Sequence, residues 1–244
     1  MSRIDRRGLL RGSLGTIAGL AAARTLPETR GGEGVASAQS AFDFSSGVSG
    51  CGQVALMFNI GSGYEPAYGI LDTLGAYGVP ASMFMMGWLA EQNPGLVQSI
   101  SAYGHHVGSH GYLPPELTMR GDDDVAWDLQ AAANSLSWAL GYAPGPWFTP
   151  FASASDERVR SIASSLGLIT VGWSVGSNDW DPWASADSIY SNVMSGIFDG
   201  AIVELHMDAQ RSIDGTAVAL PWILDDLLAQ GYQIVTVPQI AAGC

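Results

Sequence analysis

Segments with strand character alternate with segments of helical character along most of this chain of 244 residues. Short apolar runs predict the strands, and a hydrophobic period near 3.6 residues predicts the helices. The predicted strands are 53–58, 81–86, 106–109, 146–150, 168–173, 201–206 and 233–237. The predicted helices are 67–77, 90–103, 122–140, 156–166, 186–198 and 216–230. This order favours an α/β fold with a parallel sheet, most simply closed as a barrel.

Polar residues able to carry chemistry follow several of these predicted strands. Asn59 and His110 come directly after two of them, His206 ends a third, and Asp179 follows the segment 168–173 at a short distance. Barrels of parallel strands place their sites at the carboxyl ends of the strands. We therefore expect these four residues to meet at one site.

The segments, in this order, resemble the NodB-type polysaccharide deacetylase family over nearly all of 53–240. The strongest part is YGVPASMFMMGWLAEQNPGLVQSISAYGHHVGSHGY, which is similar to the family's strand, helix and Gly-His-x-x-Gly-x-His turn. The resemblance implies a distorted (β/α)7 barrel over 51–244, after a short lead-in at 39–50. It also implies metal-dependent removal of N- or O-acetyl groups from chitin, peptidoglycan or xylan.

The implied chemistry requires a particular set of groups. One Asp and two His hold a divalent metal that polarises the acetyl carbonyl and its attacking water. A second Asp is the general base, and a His on the far side protonates the leaving amine. An Arg orients the base, and a further Asp orients the His.

This sequence departs from the family pattern at most of those positions. The family motif Thr-Phe-Asp-Asp-Gly reads MFNIG here, with Asn59 in place of the base and Ile60 in place of the metal-binding Asp. His110 is the only retained metal-ligand position, because Pro114 stands where the second His is expected. The motif Arg-Pro-Pro-Tyr-Gly reads FTPFA, which puts Phe148 at the position of the Arg. Neither an isoleucine nor a proline side chain can bind a cation.

Two catalytic positions keep the family residue. Asp179 and His206 match the oriented acid pair, and we predict that this pair is retained. Glu204 lies two residues before His206 and shares its face of the strand, and its one available role is that of a replacement acid. No cofactor is therefore expected, unless substitute ligands such as Glu116, Asp208 or His106 hold zinc or another divalent metal.

The leading interpretation is a secreted, catalytically degenerate member of the family that binds N-acetylated cell-wall or environmental polysaccharide. The alternative is an active carbohydrate deacetylase or amidase that uses substitute ligands or a metal-independent mechanism. A purely structural domain is the third possibility. Strand-end aromatic residues could stack on sugar rings, and the predicted groove candidates are Trp147, Phe151, Trp180 and Tyr112. Trp127 and Trp138 fall within the predicted helix 122–140, and we expect them in the core.

The amino-terminal residues are typical of a targeting segment. Arg6-Arg7 followed by a weakly apolar stretch resembles a twin-arginine export signal, and Ala36-Ser37-Ala38 offers a small-residue cleavage site. We predict that 1–38 is this signal and that the mature protein is extracytoplasmic in a prokaryote. The two cysteines, Cys51 and Cys244, are then expected to form a disulfide, with two free thiols as the alternative.

Charge restricts the possible partners. The whole chain has a formal net charge of −13, and the part after residue 38 has four arginines against twenty acids and no lysine. Such a field repels nucleic acids and anionic membranes, and it does not repel a neutral or cationic polysaccharide. No apolar stretch after the predicted signal reaches the roughly 20 residues needed to span a membrane.

Overall fold

The computed structural model describes residues 42–244, so the predicted export signal and the first residues of the lead-in lie outside the described part. The eight strands of this part are β1 Gln53–Ile60, β2 Ser82–Met85, β3 His106–Ser109, β4 Trp147–Phe148, β5 Ile169–Thr170, β6 Val175–Gly176, β7 Ile202–His206 and β8 Gln233–Val235. The helices are α1 Gly69–Tyr77, α2 Gly87–Gln92, α3 Pro94–Ala102, α4 Asp122–Leu140, α5 Glu157–Ser165, α6 Ala186–Gly196, α7 Ala217–Ala229 and α8 Val237–Ala242.

All strand pairings between named strands are parallel, which confirms the predicted α/β class. The strand order is β5-β4-β3-β2-β1-β7-β6, and β8 pairs with β1. Strand β1 is central, since its first three residues pair with β8, its last four with β2 and its middle with β7. Within the described part β5 and β6 end the path and do not pair with each other. The sheet is therefore a curled, distorted barrel whose hydrogen-bonded ladder is not closed.

The described part of the lead-in packs on this sheet. Phe44 forms a parallel bridge with Val171, just after β5, and Ser46 forms an antiparallel bridge with Ala201, just before β7. Asp43 accepts a hydrogen bond from the backbone N–H of Thr170 at 3.0 Å. The lead-in therefore connects the β5 end of the strand order with the region of β7 near its other end.

The two faces of β1 bury different cores. Val54, Leu56, Phe58 and Ile60 pack against the surrounding helices, whereas Ala55 and Met57 pack inside the curled sheet. Successive side chains of a strand point to opposite faces. The side chain of Asn59 accordingly points to the inner face of the sheet, and that of Ile60 points to the helix-covered face.

The predicted helix 90–103 is two helices in the structure. Asn93 separates α2 from α3, and its side-chain oxygen accepts a hydrogen bond from the backbone N–H of Leu96. Pro94 takes the first position of α3, where its missing N–H costs nothing. The predicted strand 233–237 also ends early, because Thr236 caps α8 in a reciprocal capping box with Gln239. Strand β6 was not predicted, since two residues carry no periodic signal.

The expectation that Trp127 and Trp138 are core residues is wrong. Helix α4 has the predicted bounds, but these indoles are 53% and 66% exposed. The buried stripe of α4 consists of Val125, Asp128, Leu129, Ala132, Ser135, Leu136 and Ala139. A helix buries one stripe of positions, and the two tryptophans occupy the opposite one.

The predicted disulfide is confirmed. Cys51 and Cys244 are bonded, with their Cα atoms 5.7 Å apart and a sequence separation of 193. In the chain-entropy account, closing so long a loop stabilises the fold by about 4–5 kcal/mol. Among the described residues, no helix combines the length and the apolar character needed to cross a membrane.

Candidate functional site

A pocket of about 440 Å³ opens at the carboxyl ends of the central strands. Strands β1, β3 and β7 each contribute polar groups to it, and the loops after β4, β5 and β6 contribute aromatic and small ones. The residues that line it are Asn59, Ser62, His110, Phe151, Ala152, Ser153, Trp173, Trp180, Glu204 and His206. The position agrees with the place where a barrel of this kind carries its site.

Asp179 and His206 form a tightly bonded pair. The Nδ1 atom of His206 lies 2.7 Å from Oδ1 of Asp179, and the backbone N–H of His206 donates to Oδ2 at 2.8 Å. Thr216 also donates to Oδ2, at 2.7 Å. Asn178 precedes Asp179 in the left-handed region at φ 57°, a conformation that asparagine tolerates. Both oxygens of the fully buried Asp179 are therefore satisfied.

Glu204 contacts the other side of the His206 ring. Its Oε1 atom lies 3.3 Å from Nε2 of His206, and Nδ2 of Asn59 donates to the same oxygen at 3.3 Å. The carboxyl group is almost fully buried, with 3% of the residue exposed. His206 is thus placed between two carboxyl groups, one on each ring nitrogen.

Burial and charge shift the pKa values of this group. Burial disfavours the charged imidazole of His206, but the hydrogen bond with Asp179 and the charges of Glu204 and Asp179 raise its pKa to about 9. Burial raises the pKa of Glu204 to about 7, although the nearby His206 opposes this shift. Near neutral pH the arrangement favours an imidazolium held between carboxyl groups.

His110 follows β3 and is neutral. Its Nδ1 lies 2.8 Å from the carbonyl oxygen of Thr149, which can only accept, so Nδ1 carries the proton and Nε2 is left as an acceptor. Burial lowers the pKa of His110 to about 4. The loop after His110 is held by the buried carboxylate of Asp128, which accepts from the N–H groups of Tyr112 and Leu113 at 2.7 and 3.2 Å.

Asn59 occupies the expected position of the base at the end of β1. Its Nδ2 atom is bound by Glu204, while its Oδ1 atom is buried and has no hydrogen-bond partner among the described residues. The turn after it is fixed by Asp208, whose carboxylate accepts from the backbone N–H groups of Gly61 and Gly63 at 3.0–3.1 Å. This acceptor therefore lies buried beside the pocket.

The structure does not bring the three implied metal-ligand positions together. Ile60 is fully buried in the helix-side core, Pro114 is exposed, and His110 alone lines the pocket. Phe148, at the position of the family arginine, packs in an apolar cluster with Leu117 and Val125. None of these three replacements supplies a cation ligand or a positive charge.

The proposed substitute ligands also lie away from the pocket lining. Asp208 is used in the β1 turn, as described above. Burial lowers the pKa of His106 to about 4, and its ring packs edge-on against the ring of Phe84. Glu116 precedes the short 3-10 helix Leu117–Met119. None of the three lines the pocket.

One group of side chains could in principle hold a metal ion. A ligand atom from each of Asp179, Glu204 and His206 lies within 4.8 Å of the other two. However, both oxygens of Asp179 and one oxygen of Glu204 already accept hydrogen bonds, and His206 is favoured as a cation. An ion would have to displace these donors, so the group fits a metal poorly as it stands.

The four predicted aromatic residues lie in three different places. Phe151 and Trp180 line the pocket together with Trp173, and Trp180 is 59% exposed. Trp147 packs instead inside the curled sheet against Phe44, with ring centroids 6.1 Å apart. Tyr112 points to a separate depression beside α4.

Sequence reasoning missed several residues of the site. Ser62, Ala152 and Ser153 line the pocket, and Thr216 supports Asp179. Ala152 and Ser153 have φ angles of 54° and 58°, where side chains are strained. The glycine of the motif Arg-Pro-Pro-Tyr-Gly falls at Ala152 and was the available signal for this backbone conformation. No spacing in the sequence indicated Thr216.

Comparisons with known proteins agree with this geometry. The sequence model described as "Polysaccharide deacetylase" matches residues 47–171, just over half of the chain. The peptidoglycan-N-acetylglucosamine deacetylase PgdA of Listeria monocytogenes is 32% identical over 188 residues. The match covers 77% of this chain but only 38% of that relative, so the chain spans well under half of its length.

Two solved structures share the fold and differ in chemistry. The Bc1960 peptidoglycan N-acetylglucosamine deacetylase superposes with a TM-score of 0.77 and 30% identity, over 83% of this chain and 94% of that one. BA3943 of Bacillus anthracis, described as a pseudoenzyme of carbohydrate esterase family 4, gives 0.73 and 26%, over 80% and 67%. The match to the family model over just over half of the chain and the similarity to these relatives establish that this chain belongs to the polysaccharide deacetylase family.

Proposed function

We propose that this protein binds an N-acetylated polysaccharide in the pocket and has lost metal-dependent deacetylation. The proposal rests on where the structure places the three residues at the family's metal-ligand positions. Ile60 is buried in the core, Pro114 is exposed, and of these three positions only His110 lines the pocket. A single neutral imidazole holds a divalent cation weakly, whereas catalytic zinc sites use three protein ligands.

The pocket keeps features suited to a sugar. Three aromatic side chains, Phe151, Trp173 and Trp180, can cover the apolar face of a pyranose ring. The Nε2 atom of His110, whose Nδ1 is engaged with Thr149, can accept a hydrogen bond from an amide N–H or a hydroxyl. Relatives named as deacetylases of peptidoglycan N-acetylglucosamine support an N-acetylated wall polysaccharide as the ligand.

We also propose that the protein is exported through the twin-arginine signal at 1–38. The disulfide between Cys51 and Cys244 supports an oxidising compartment outside the cytoplasm. The wall-directed activity named for the Listeria relative supports the same location. Mass spectrometry of protein recovered from the host should show the loss of the signal. A full-length chain retained in the cytoplasm would contradict export.

Metal content and polymer binding test the proposed function together. Dialysed protein should hold far less than one equivalent of zinc or cobalt, and it should still sediment with insoluble peptidoglycan or chitin. Trp180→Ala should weaken that binding by about 1–2 kcal/mol, because a stacked ring is lost. Trp222→Ala on α7 is the matched control and should bind normally. Stoichiometric metal after dialysis, or no binding to either polymer, would overturn the proposal.

A metal-independent hydrolase is the second candidate, and the contact between Glu204 and His206 is the observation that favours it. Glu204 would take a proton from water as the water attacks the acetyl carbonyl, and His206 would protonate the leaving nitrogen, releasing acetate and a free amine. Acetate release that persists with a chelator and disappears in Glu204→Gln would support this candidate. Release that a chelator abolishes would contradict it.

A further inference from the structure

Two exposed indoles mark one face of helix α4, outside the pocket described above. Trp127 and Trp138 are 53% and 66% exposed. They are eleven residues apart, which is three helical turns or about 16 Å along the axis. Between them the same face carries the small residues Ala131 and Asn134, and the mostly buried Ser135 lies at its edge. With Glu91 of α2 and Tyr112, these residues line a depression of about 530 Å³, here called the α4 groove.

A carboxylate is fixed inside the α4 groove. The Oε1 atom of Glu91 accepts from the hydroxyl of Ser135 at 2.6 Å, and its Oε2 atom accepts from the hydroxyl of Tyr112 at 3.2 Å. The ring of Tyr112 in turn meets Trp127 edge-on, with centroids 5.3 Å apart. Two hydrogen bonds leave further lone pairs of the carboxylate free for a ligand. The groove therefore combines aromatic faces with an oriented negative charge.

The charge of the described part restricts what can cover this groove. Its four arginines are all engaged in ion pairs, with Asp128, Asp122, Asp43 and Asp214. None of these arginines lines the α4 groove, and residues 42–244 contain no lysine, so no side-chain cation stands there to receive an anionic ligand. The acidic field and Glu91 instead attract a cation, and exposed tryptophan faces attract sugar rings or ammonium groups.

We propose that the α4 groove is a second glycan-binding surface for a run of linked amino sugars that carry free amines, such as a partly N-deacetylated wall polysaccharide. Sugar rings stack on Trp127 and Trp138, and an ammonium group lies against Glu91. The separation of the indoles requires several linked sugars rather than one. Tyr112 lies two residues after His110 of the pocket, so one loop reaches both places. This surface goes beyond the proposed function, because it does not use the pocket.

Calorimetric titration with two soluble probes tests the proposal. The unmodified protein should bind a glucosamine hexamer more tightly than an N-acetylglucosamine hexamer, and more tightly at low salt. Trp138→Ala and Trp127→Ala should each weaken binding of the glucosamine hexamer about fivefold or more. Glu91→Gln should weaken binding of that hexamer and leave the acetylated one unaffected. Trp222→Ala on α7 is the matched control and should bind both like the unmodified protein.

The outcomes separate this surface from the pocket. Loss of binding in the Trp127 and Trp138 variants, with normal binding in Trp180→Ala, supports the α4 groove even if the pocket proposal fails. The reverse pattern, with only Trp180→Ala affected, overturns the groove and leaves the pocket proposal standing. No binding of the glucosamine hexamer by the unmodified protein overturns the groove as well. Circular dichroism of each variant shows that a loss of binding is not a loss of folding.

Discussion

The Nε2 atom of His206 lies 3.3 Å from Oε1 of Glu204, while its Nδ1 atom lies 2.7 Å from Oδ1 of Asp179. A histidine that protonates a leaving group needs one ring nitrogen turned toward the substrate. Here each ring nitrogen faces a carboxyl group, and the imidazolium is stabilised by both. In the metal-independent hydrolase proposed above, delivery of the Nε2 proton to a leaving group would therefore require Glu204 to turn away from His206.

The first prediction concerns the protonation of the two site histidines. His206 should remain an imidazolium well above pH 7, because its pKa is raised to about 9. His110 should remain neutral until about pH 4, because burial lowers its pKa. Nitrogen-15 NMR of the imidazole rings distinguishes the two forms. Glu204→Gln should lower the pKa of His206, since one neighbouring charge is removed. A His206 that titrates near 6.5 in the unmodified protein would refute the arrangement.

The second prediction is that the free energy of unfolding falls as pH rises from about 7 to 9. The pKa of Glu204 is raised from 4.5 to about 7 and that of His206 from 6.5 to about 9, so above pH 7 the folded state binds more protons than the unfolded state. Below about pH 6.5 the lowered pKa values of His106 and His110 act in the opposite direction, because there the unfolded state binds those protons.

Urea unfolding at several pH values measures this effect, and we expect a total loss of about 1–3 kcal/mol. Glu204→Gln should make this decline shallower, because it removes one raised pKa and also lowers the pKa of His206. Stability that rises across this range would show that the buried groups are not protonated as described.

The third prediction uses the strained backbone beside the pocket. Ala152 has φ 54°, a region that costs a residue with a Cβ atom roughly 1 kcal/mol. Ala152→Gly should therefore leave stability unchanged or raise it by up to about 1 kcal/mol. Ala154, at φ −76°, is the matched control, and Ala154→Gly should destabilise by about 0.4–1 kcal/mol. Equal destabilisation by both changes would argue against the left-handed conformation at Ala152.

The fourth prediction tests the assignment of the vacated ligand positions. Ile60→Asp combined with Pro114→His restores the family residues next to His110. Because Ile60 is buried among apolar side chains, the new carboxylate should lower stability by several kcal/mol. Zinc should recover part of the loss in thermal stability if the carboxylate turns to the pocket and binds metal.

Ile60→Asn with Pro114→His is the matched control, since it has similar shape without the charge and should gain less from zinc. Deacetylation should not return in either variant, because Asn59 cannot act as a base near neutral pH. Adding Asn59→Asp should then give weak acetate release at most, with Phe148 still in place of the arginine. An absence of any zinc effect on a folded Ile60→Asp variant would mean that these positions are misassigned.

The sequence predicted correctly those helices, strands and residue positions that depend on patterns between neighbouring residues. The bounds of α4 and the positions of His110, Asp179 and His206 follow from periodicity and from short motifs. The exposed orientation of Trp127 and Trp138 could not be predicted from the sequence. Two stripes of α4 carry aromatic or apolar residues, and only tertiary packing selects the buried one. The partnership of Glu204 with Asn59 and His206 joins two strands, and no spacing along the chain reports it.

The position of the disulfide also permits a different chain connectivity for the domain. Since the Cα atoms of Cys51 and Cys244 are 5.7 Å apart, the described domain already behaves as a covalent ring. A short peptide bridging these two positions could take over the role of the bond, and new termini could then be opened in an exposed turn such as the one at Gly141. A circular permutant of this kind should keep its fold under reducing conditions, which break the disulfide bond of the natural chain.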